Sequence, residues 1–166
     1  MKAGSVALVL IVNLFAVVAC GATFYVSTSG SDGGSGSSDL PWLTIQHAVD
    51  NISPGDVIVV RAGTYAGARI ENSGLASAHK TLRADTGASV ILNAPGPNNK
   101  HTSILEVENF SATVRYWIID GFEMTNAPRS GVDIRVTEFV TIQNCIVHDS
   151  GRTGLPIGGI HPCPMR

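Results

Sequence analysis

Within residues 44–60, TIQHAVDNISPGDVIVV, the apolar positions change their period. Ile45, Ala48, Val49 and Ile52 recur at i, i+3, i+4 and i+7, the stripe of a helix with one buried face. Thr44 stands where a cap is needed, and Ser53-Pro54-Gly55 ends the pattern. His47 falls on the polar side with Asp50 and Asn51 and reads as a solvated helix residue. From Asp56 onward the apolar residues form short strand-like runs: Val57–Val60, Gly63–Tyr65, Arg69-Ile70, Thr81-Leu82, Val90–Leu92, Ile104-Leu105, Trp117–Ile119, Val132–Ile134 and Val140–Ile142. Gly, Asn, Asp or Pro separates them. Ahead of the helix, a strand at Phe24-Tyr25-Val26 runs into STSGSDGGSGSSDLP, Ser27 to Pro41, which reads as a long surface loop.

Short strands suit a sandwich, a barrel or a solenoid, and an internal repeat chooses among them. WIIDGFEMTNAPRSGV (Trp117–Val132) aligns with VTIQNCIVHDSGRTGL (Val140–Leu155) at a constant offset of 23. Trp117 meets Val140, Ile119 meets Ile142, Phe122 meets Cys145, Met124 meets Val147, Asn126 meets Asp149, Arg129 meets Arg152 and Gly131 meets Gly154. Gly121 faces Asn144, the two residue types that most readily take left-handed backbone angles. Each copy is therefore strand, sharp corner, strand and polar turn. The rhythm extends back to Val59 and Leu82, also 23 apart, while Ala84–Glu108 needs insertions to stay in phase. Such a unit is one coil of a parallel β-helix, whose stacked coils bury inward residues in columns. The expected fold is all-β, with the amphipathic helix capping the N-terminal end of the stack.

FYVSTSGSDGGSGSSDLPWLTIQHAVDNISPGDVIVVRAGTY resembles the N-terminal segment of secreted right-handed parallel β-helix proteins of the pectate-lyase-like superfamily. The pattern is an aromatic-Val-Ser strand, a Gly/Ser/Asp loop, Pro-aromatic-x-Thr-Ile-Gln-x-Ala, Pro-Gly-Asp, an apolar strand and Gly-Thr-Tyr. It is most similar to the branch that includes bacterial polysaccharide lyases acting on pectin, alginate or chondroitin. The match covers about forty residues; the remainder resembles generic β-helix coils. The resemblance implies extracellular work on a polysaccharide, with the right-handed form of the solenoid, and leaves the reaction to be argued from the site.

Composition narrows the partners. Of 166 residues, 14% are charged, the formal net charge is −2, and no Lys/Arg run occurs, which argues against nucleic acid and anionic membrane surfaces. Residues 1–22 carry Lys2, an apolar run from Val6 to Ala19 and a small-residue end, Ala19-Cys20-Gly21-Ala22, the anatomy of a secretory signal. Val17–Cys20 also fits a lipobox, with Cys20 as the lipid anchor. The expected division is thus signal peptide 1–22, strand, loop and capping helix 23–55, coils 56–154, and an irregular tail 155–166. An oxidising compartment would permit Cys145 and Cys163 to pair, although Cys145 reads better as a small apolar core residue. A monomer, secreted or periplasmic, is expected.

For chemistry, uronide lyases need the substrate carboxylate neutralised and a base that takes the adjacent C–H proton. Arg129 and Arg152 fall in one column near Asn126, Asp149 and His148, and that group is the candidate strip for an acidic sugar chain. Asp133 and Arg135 read as a cross-strand surface pair, and Glu106 and Glu108 as exposed strand positions. Glycoside hydrolysis would need a carboxylate pair at a defined separation, so elimination ranks above it. No catalytic residue is assigned. No metal cluster is legible, and calcium enters only as something the resemblance implies. After Gly154, prolines at 156, 162 and 164 break the repeat, so the chain reads as the N-terminal piece of a longer β-helix, truncated or frame-shifted there. A noncatalytic carbohydrate-binding or scaffold module and an inactive fragment are the alternatives.

Overall fold

The computed structural model describes residues 21–151; the bulk of the expected signal, Cys20, Arg152, the tail and Cys163 lie outside the described residues. In chain order the elements are β1 (Thr23–Val26), α1 (Ile45–Asn51), β2 (Val57–Val60), β3 (Gly63–Ala66), β4 (Ala68–Ile70), β5 (Lys80–Ala84), β6 (Val90–Ala94), β7 (Leu105–Val107), β8 (Val114–Asp120), β9 (Glu123–Met124), β10 (Val132–Ile134), β11 (Thr137–Gln143) and β12 (Ile146–Val147). They form three sheets, β1-β2-β5-β8-β11, β3-β6-β9-β12 and β4-β7-β10. Every named ladder is parallel. Three full turns, β2–β4, β5–β7 and β8–β10, are followed by the first two strands of a fourth, and the architecture is the expected parallel β-helix.

The core is a set of columns, because parallel in-register coils place equivalent side chains one above another. Ile58, Leu82, Ile119 and Ile142 make one column in the first sheet. Tyr65, Leu92, Met124 and Val147 make one in the second. Ala68, Leu105 and Val132, with Ile70, Val107 and Ile134, fill the third. Phe122 and Cys145, matched by the repeat, are both buried. The corner between the first two sheets requires left-handed backbone, and Gly121 and Asn144 supply it at φ 85° and 52°.

The offset of 23 holds where it is clearest in sequence, with Trp117 opposite Val140 and Met124 opposite Val147. One turn back it does not: Val59 faces Arg83 and Leu82 faces Ile58, an offset of 24. The earlier turn has one residue more between its equivalent strands, so a register carried backwards from the later coils lands one place off and on the opposite face of the strand.

Thr44 caps α1 by accepting from the His47 N–H at 3.1 Å, and Ile45, Ala48 and Val49 are buried. The helix packs mainly on β4 and also touches β1 and β2. Gln46 is buried as well, and its amide mimics a neighbouring strand: Oε1 accepts from Arg69 N at 2.8 Å and Nε2 donates to Arg69 O at 3.0 Å. The edge of β4 is thereby satisfied by a side chain. His47 is half-buried and packs edge-on against Trp42, with ring centroids 5.2 Å apart. The Gly/Ser loop folds back on β1 through Tyr25 N to Gly36 O at 2.7 Å, and Asp32 ties it to the start of the helix through Leu43 N, Thr44 N and Thr44 Oγ1, at 2.8–2.9 Å.

Candidate functional site

On the third sheet, strand alternation turns Arg69, Glu106 and Asp133 outward in one registered row. Outward here does not mean wet. The expectation that Glu106 and Glu108 are exposed is corrected: they are 0% and 2% exposed. The insertion that breaks the repeat reaches Glu106 through Lys100 and His101, and the connection after β7 places Phe110 against Arg69, whose guanidinium lies 5.2 Å from the ring centroid. Glu106 accepts from Lys100 N at 2.8 Å and His101 N at 2.7 Å, fixing the covering loop by its backbone. Glu108 Oε1 lies 3.1 Å from His101 Nε2 and 3.6 Å from Arg69 Nε. These are ion-pair distances without hydrogen-bond alignment, so the oxygens of Glu108 are compensated by charge alone. Asp133 and Arg135 are also corrected: Asp133 on β10 and Arg135 just past the end of that strand are joined by a fork at 2.9 and 2.8 Å, with Asp133 3% exposed. That fork holds the Arg135 guanidinium above its ordinary pKa.

Beside this covered face opens a cleft of about 460 Å³, lined by Lys100, His101, Thr102, Pro128 and Arg129. The turn before β10 contributes Pro128 and Arg129, the latter the one described candidate from sequence that reaches the cleft; the loop held by Glu106 contributes Lys100, His101 and Thr102. Arg129 makes no side-chain hydrogen bond or ion pair among the described residues, and Lys100 has only the Phe110 ring, 5.1 Å from its Nζ. The other described cations are engaged: Arg61 with Ser38, Arg69 with Glu71, Arg83 with Ala84 O, Arg115 with Glu138, Arg135 with Asp133 and Lys80 with Asn72. Thr102, at the lip, sits at φ 58°, which a β-branched residue adopts only under constraint.

The remaining sequence candidates gather elsewhere. His148, following β12, contacts Glu123 Oε1 at 3.0 Å through Nε2 and Asp149 Oδ2 at 2.8 Å through Nδ1. Bonding to Glu123 first, and then to Asp149, raises its pKa above the ordinary value. Asn126 and Asp149 occupy equivalent left-handed turn positions, φ 56° and 52°. With two carboxylates around one imidazole this group is acidic in sum, and no hydrogen bond or ion pair joins it to Arg129 among the described residues. Arg152 lies outside them.

Lys100, His101 and Thr102 were not among the candidates from sequence. Their signal was the Pro- and Asn-rich insertion from Pro95 to Asn99, whose excess length had to cross some outer face. A further cavity of about 290 Å³, bordered by Leu43, Ile45, Tyr65 and Pro97, has no charged lining. In the first sheet, Tyr116 of β8 and Phe139 of β11 stack with each other, and His79, just ahead of β5, stacks on Tyr116, with centroids 5.1 and 5.5 Å apart. Calcium finds no convergent oxygen set among the described residues, since the oxygens of Glu106 face backbone N–H groups, Oε1 of Glu108 faces Arg69 and His101, and its Oε2 faces Arg135.

A family model described as the Pel9A-like, right-handed β-helix region matches residues 24–163. Pectate lyase PEL9 of Emericella nidulans is 36% identical over 121 residues, covering 64% of this chain and 28% of that protein. The crystal structure of pectate lyase Pel9A superposes with a TM-score of 0.58 at 17% identity, over 78% of this chain and 40% of that one. The structure of XylC with xylose superposes with a TM-score of 0.55 at 13% identity, over 77% and 42%. At such identities the two structures share the fold with this chain. The chain spans about 28% of the length of the curated relative it matches.

Proposed function

The chain belongs to the Pel9A-like right-handed β-helix family, and from that premise we propose that it is the N-terminal part of a secreted, β-eliminating lyase of acidic, uronate-containing polysaccharide. The observation that carries the reading is the 36% identity to a pectate lyase over 121 residues. In such a reaction a cation neutralises the uronate carboxylate, the neighbouring C–H becomes acidic, a base takes that proton and the glycosidic oxygen leaves. The share this chain supports is recognition: among the described residues Arg129 and Lys100 are the cations without a hydrogen-bond or ion-pair partner, and both border one cleft. Elimination leaves an unsaturated sugar that absorbs in the ultraviolet. Rising ultraviolet absorbance on pectate, alginate or glycosaminoglycan is the expected result, and a flat trace on all three with the whole protein would overturn the lyase reading.

A second reading, a noncatalytic carbohydrate-binding module, is favoured by one observation. The match covers 28% of the pectate lyase relative, a share in which binding and scaffold coils can lie apart from the reacting groups. Retention of acidic glycan without turnover would favour it.

A further inference from the structure

We propose that the cleft between the loop at Lys100–Thr102 and the turn at Pro128-Arg129 is a subsite for the carboxylate of an acidic sugar. Arg129 and Lys100 make the charge contacts, and Glu106 is the residue that positions the loop. This rests on the acidic-polysaccharide reading and adds where on the coil the sugar is held.

Three independent features converge on the cleft. The first is charge. In a chain of net charge −2, Arg129 and Lys100 are the described cations left without an acid, carbonyl, hydroxyl or amide partner, and both border the same opening. Arginine offers a planar fork of donors that matches a carboxylate with two parallel hydrogen bonds, and lysine adds a point charge.

The second is construction. A loop that merely crossed a surface would be held by its own turns. This one is held by Glu106, a fully buried carboxylate that accepts from two consecutive backbone N–H groups, and by Asn99 Nδ2, which donates to Ile104 O at 2.8 Å. Behind it Glu108 contacts His101, so the imidazole at the lip is backed by a buried acid. The third is strain. Thr102 lies in the left-handed region on the cleft rim, with its hydroxyl donating to His101 O at 2.6 Å, and such residues persist where the surroundings over-determine them, commonly at ligand sites. A cleft of about 460 Å³ is within the range that takes a small ligand or part of a chain. The His148 group carries two carboxylates, and the rings of Tyr116 and Phe139 bring no cation, so neither offers an acid sugar the same charge contacts.

The test is calorimetric titration of the full chain with a galacturonate oligomer, the same oligomer as its methyl ester, and polyglutamate of matched charge. The free acid is expected to bind and the methyl ester to bind at least tenfold more weakly. Arg129→Ala should weaken the free acid about tenfold, Arg129→Lys by less, and Lys100→Ala by a few fold. Glu106→Gln should weaken it while leaving the far-ultraviolet dichroism of the coils unchanged, with the amide resonances of His101 and Thr102 displaced. Arg115→Ala, which removes a cation already paired with Glu138, should leave binding as it was. Full-strength binding by Arg129→Ala would place the sugar elsewhere and overturn the subsite while the acidic-glycan reading stood. Equal binding of the methyl ester, or of polyglutamate, would reduce the cleft to an uncharged groove or a general anion patch and overturn it likewise. No binding of the free acid by the unmodified chain would overturn the acidic-glycan reading itself.

Discussion

At the scale of the residue, backbone angle and local charge decide what each position tolerates. Gly121 turns the corner at φ 85°, and a Cβ built there would lie 3.3 Å from that of Ala84. In the next coil Asn144 turns the same corner at φ 52°. Gly121→Asn is therefore expected to cost under about 1 kcal/mol, whereas the β-branched Gly121→Val should cost about 2 kcal/mol or more, read as a shift in urea midpoint. His148 carries the opposite kind of information. Its pKa is raised by Glu123 and Asp149, so its stabilising contribution is full below the ordinary value of 6.5 and is lost as pH rises through the folded value. Ring resonances followed against pH should titrate above 6.5 in the parent chain and move back toward it in Glu123→Gln; no movement would assign the shift to Asp149. The residue scale was also the least legible in sequence. Alternation places Glu106 and Glu108 outward, and it is silent on whether another segment covers that face. A carboxylate buried by an insertion folding back is a long-range fact, absent from the local pattern that made both glutamates look exposed.

At the scale of the element, the helix and its loop were legible because each is built from local rules. The spacing of Ile45, Ala48, Val49 and Ile52, the Thr44 cap and the Ser-Pro-Gly stop needed no tertiary knowledge. What they attach to was not legible, and Gln46 shows why: a residue on the seam of the helical stripe satisfies the edge of β4 with its amide. Asp32 is the comparable anchor just ahead of the helix. Burial pushes its carboxyl up, but hydrogen bonds from the backbone and hydroxyl of Thr44 and from Leu43 N outweigh that and hold it below the ordinary value. A depressed carboxylate contributes stability above its unfolded pKa and loses that contribution as pH falls through the folded value. Asp32→Asn is expected to cost about 1 kcal/mol at neutral pH, after discounting for solvent, and to narrow its gap from the parent in acid. An unchanged gap from pH 7 to pH 3 would mean that the side chain acts by shape and not by charge.

At the scale of the whole molecule, the repeat decided the architecture. Two copies at an offset of 23 were enough, because a coil that buries one face alone is unstable and stacking its neighbours completes a continuous core. The buried residues do form one cluster that runs without a break from Val26 to Cys145, passing through all three sheets and the helix. Continuity of that kind couples the coils: loss of one column exposes the apolar faces of the coils on both sides. The chain is accordingly expected to melt in a single cooperative transition, with calorimetric and van't Hoff enthalpies equal, and with a heat-capacity increment of about 12–15 cal/mol/K per ordered residue. The competing expectation, an inactive fragment that collapses without fixed packing, makes the opposite forecast. It would keep its far-ultraviolet signal, lose the near-ultraviolet signal of Trp42 and Trp117, and melt gradually. Trp117 is the decisive reporter because it is fully buried and its Nε1 donates to Asn72 O at 2.7 Å across the stack. A sharp near-ultraviolet band that vanishes together with the far-ultraviolet signal would establish one packed core, whereas its absence at room temperature would sink that claim and leave the coils as secondary structure without a fold.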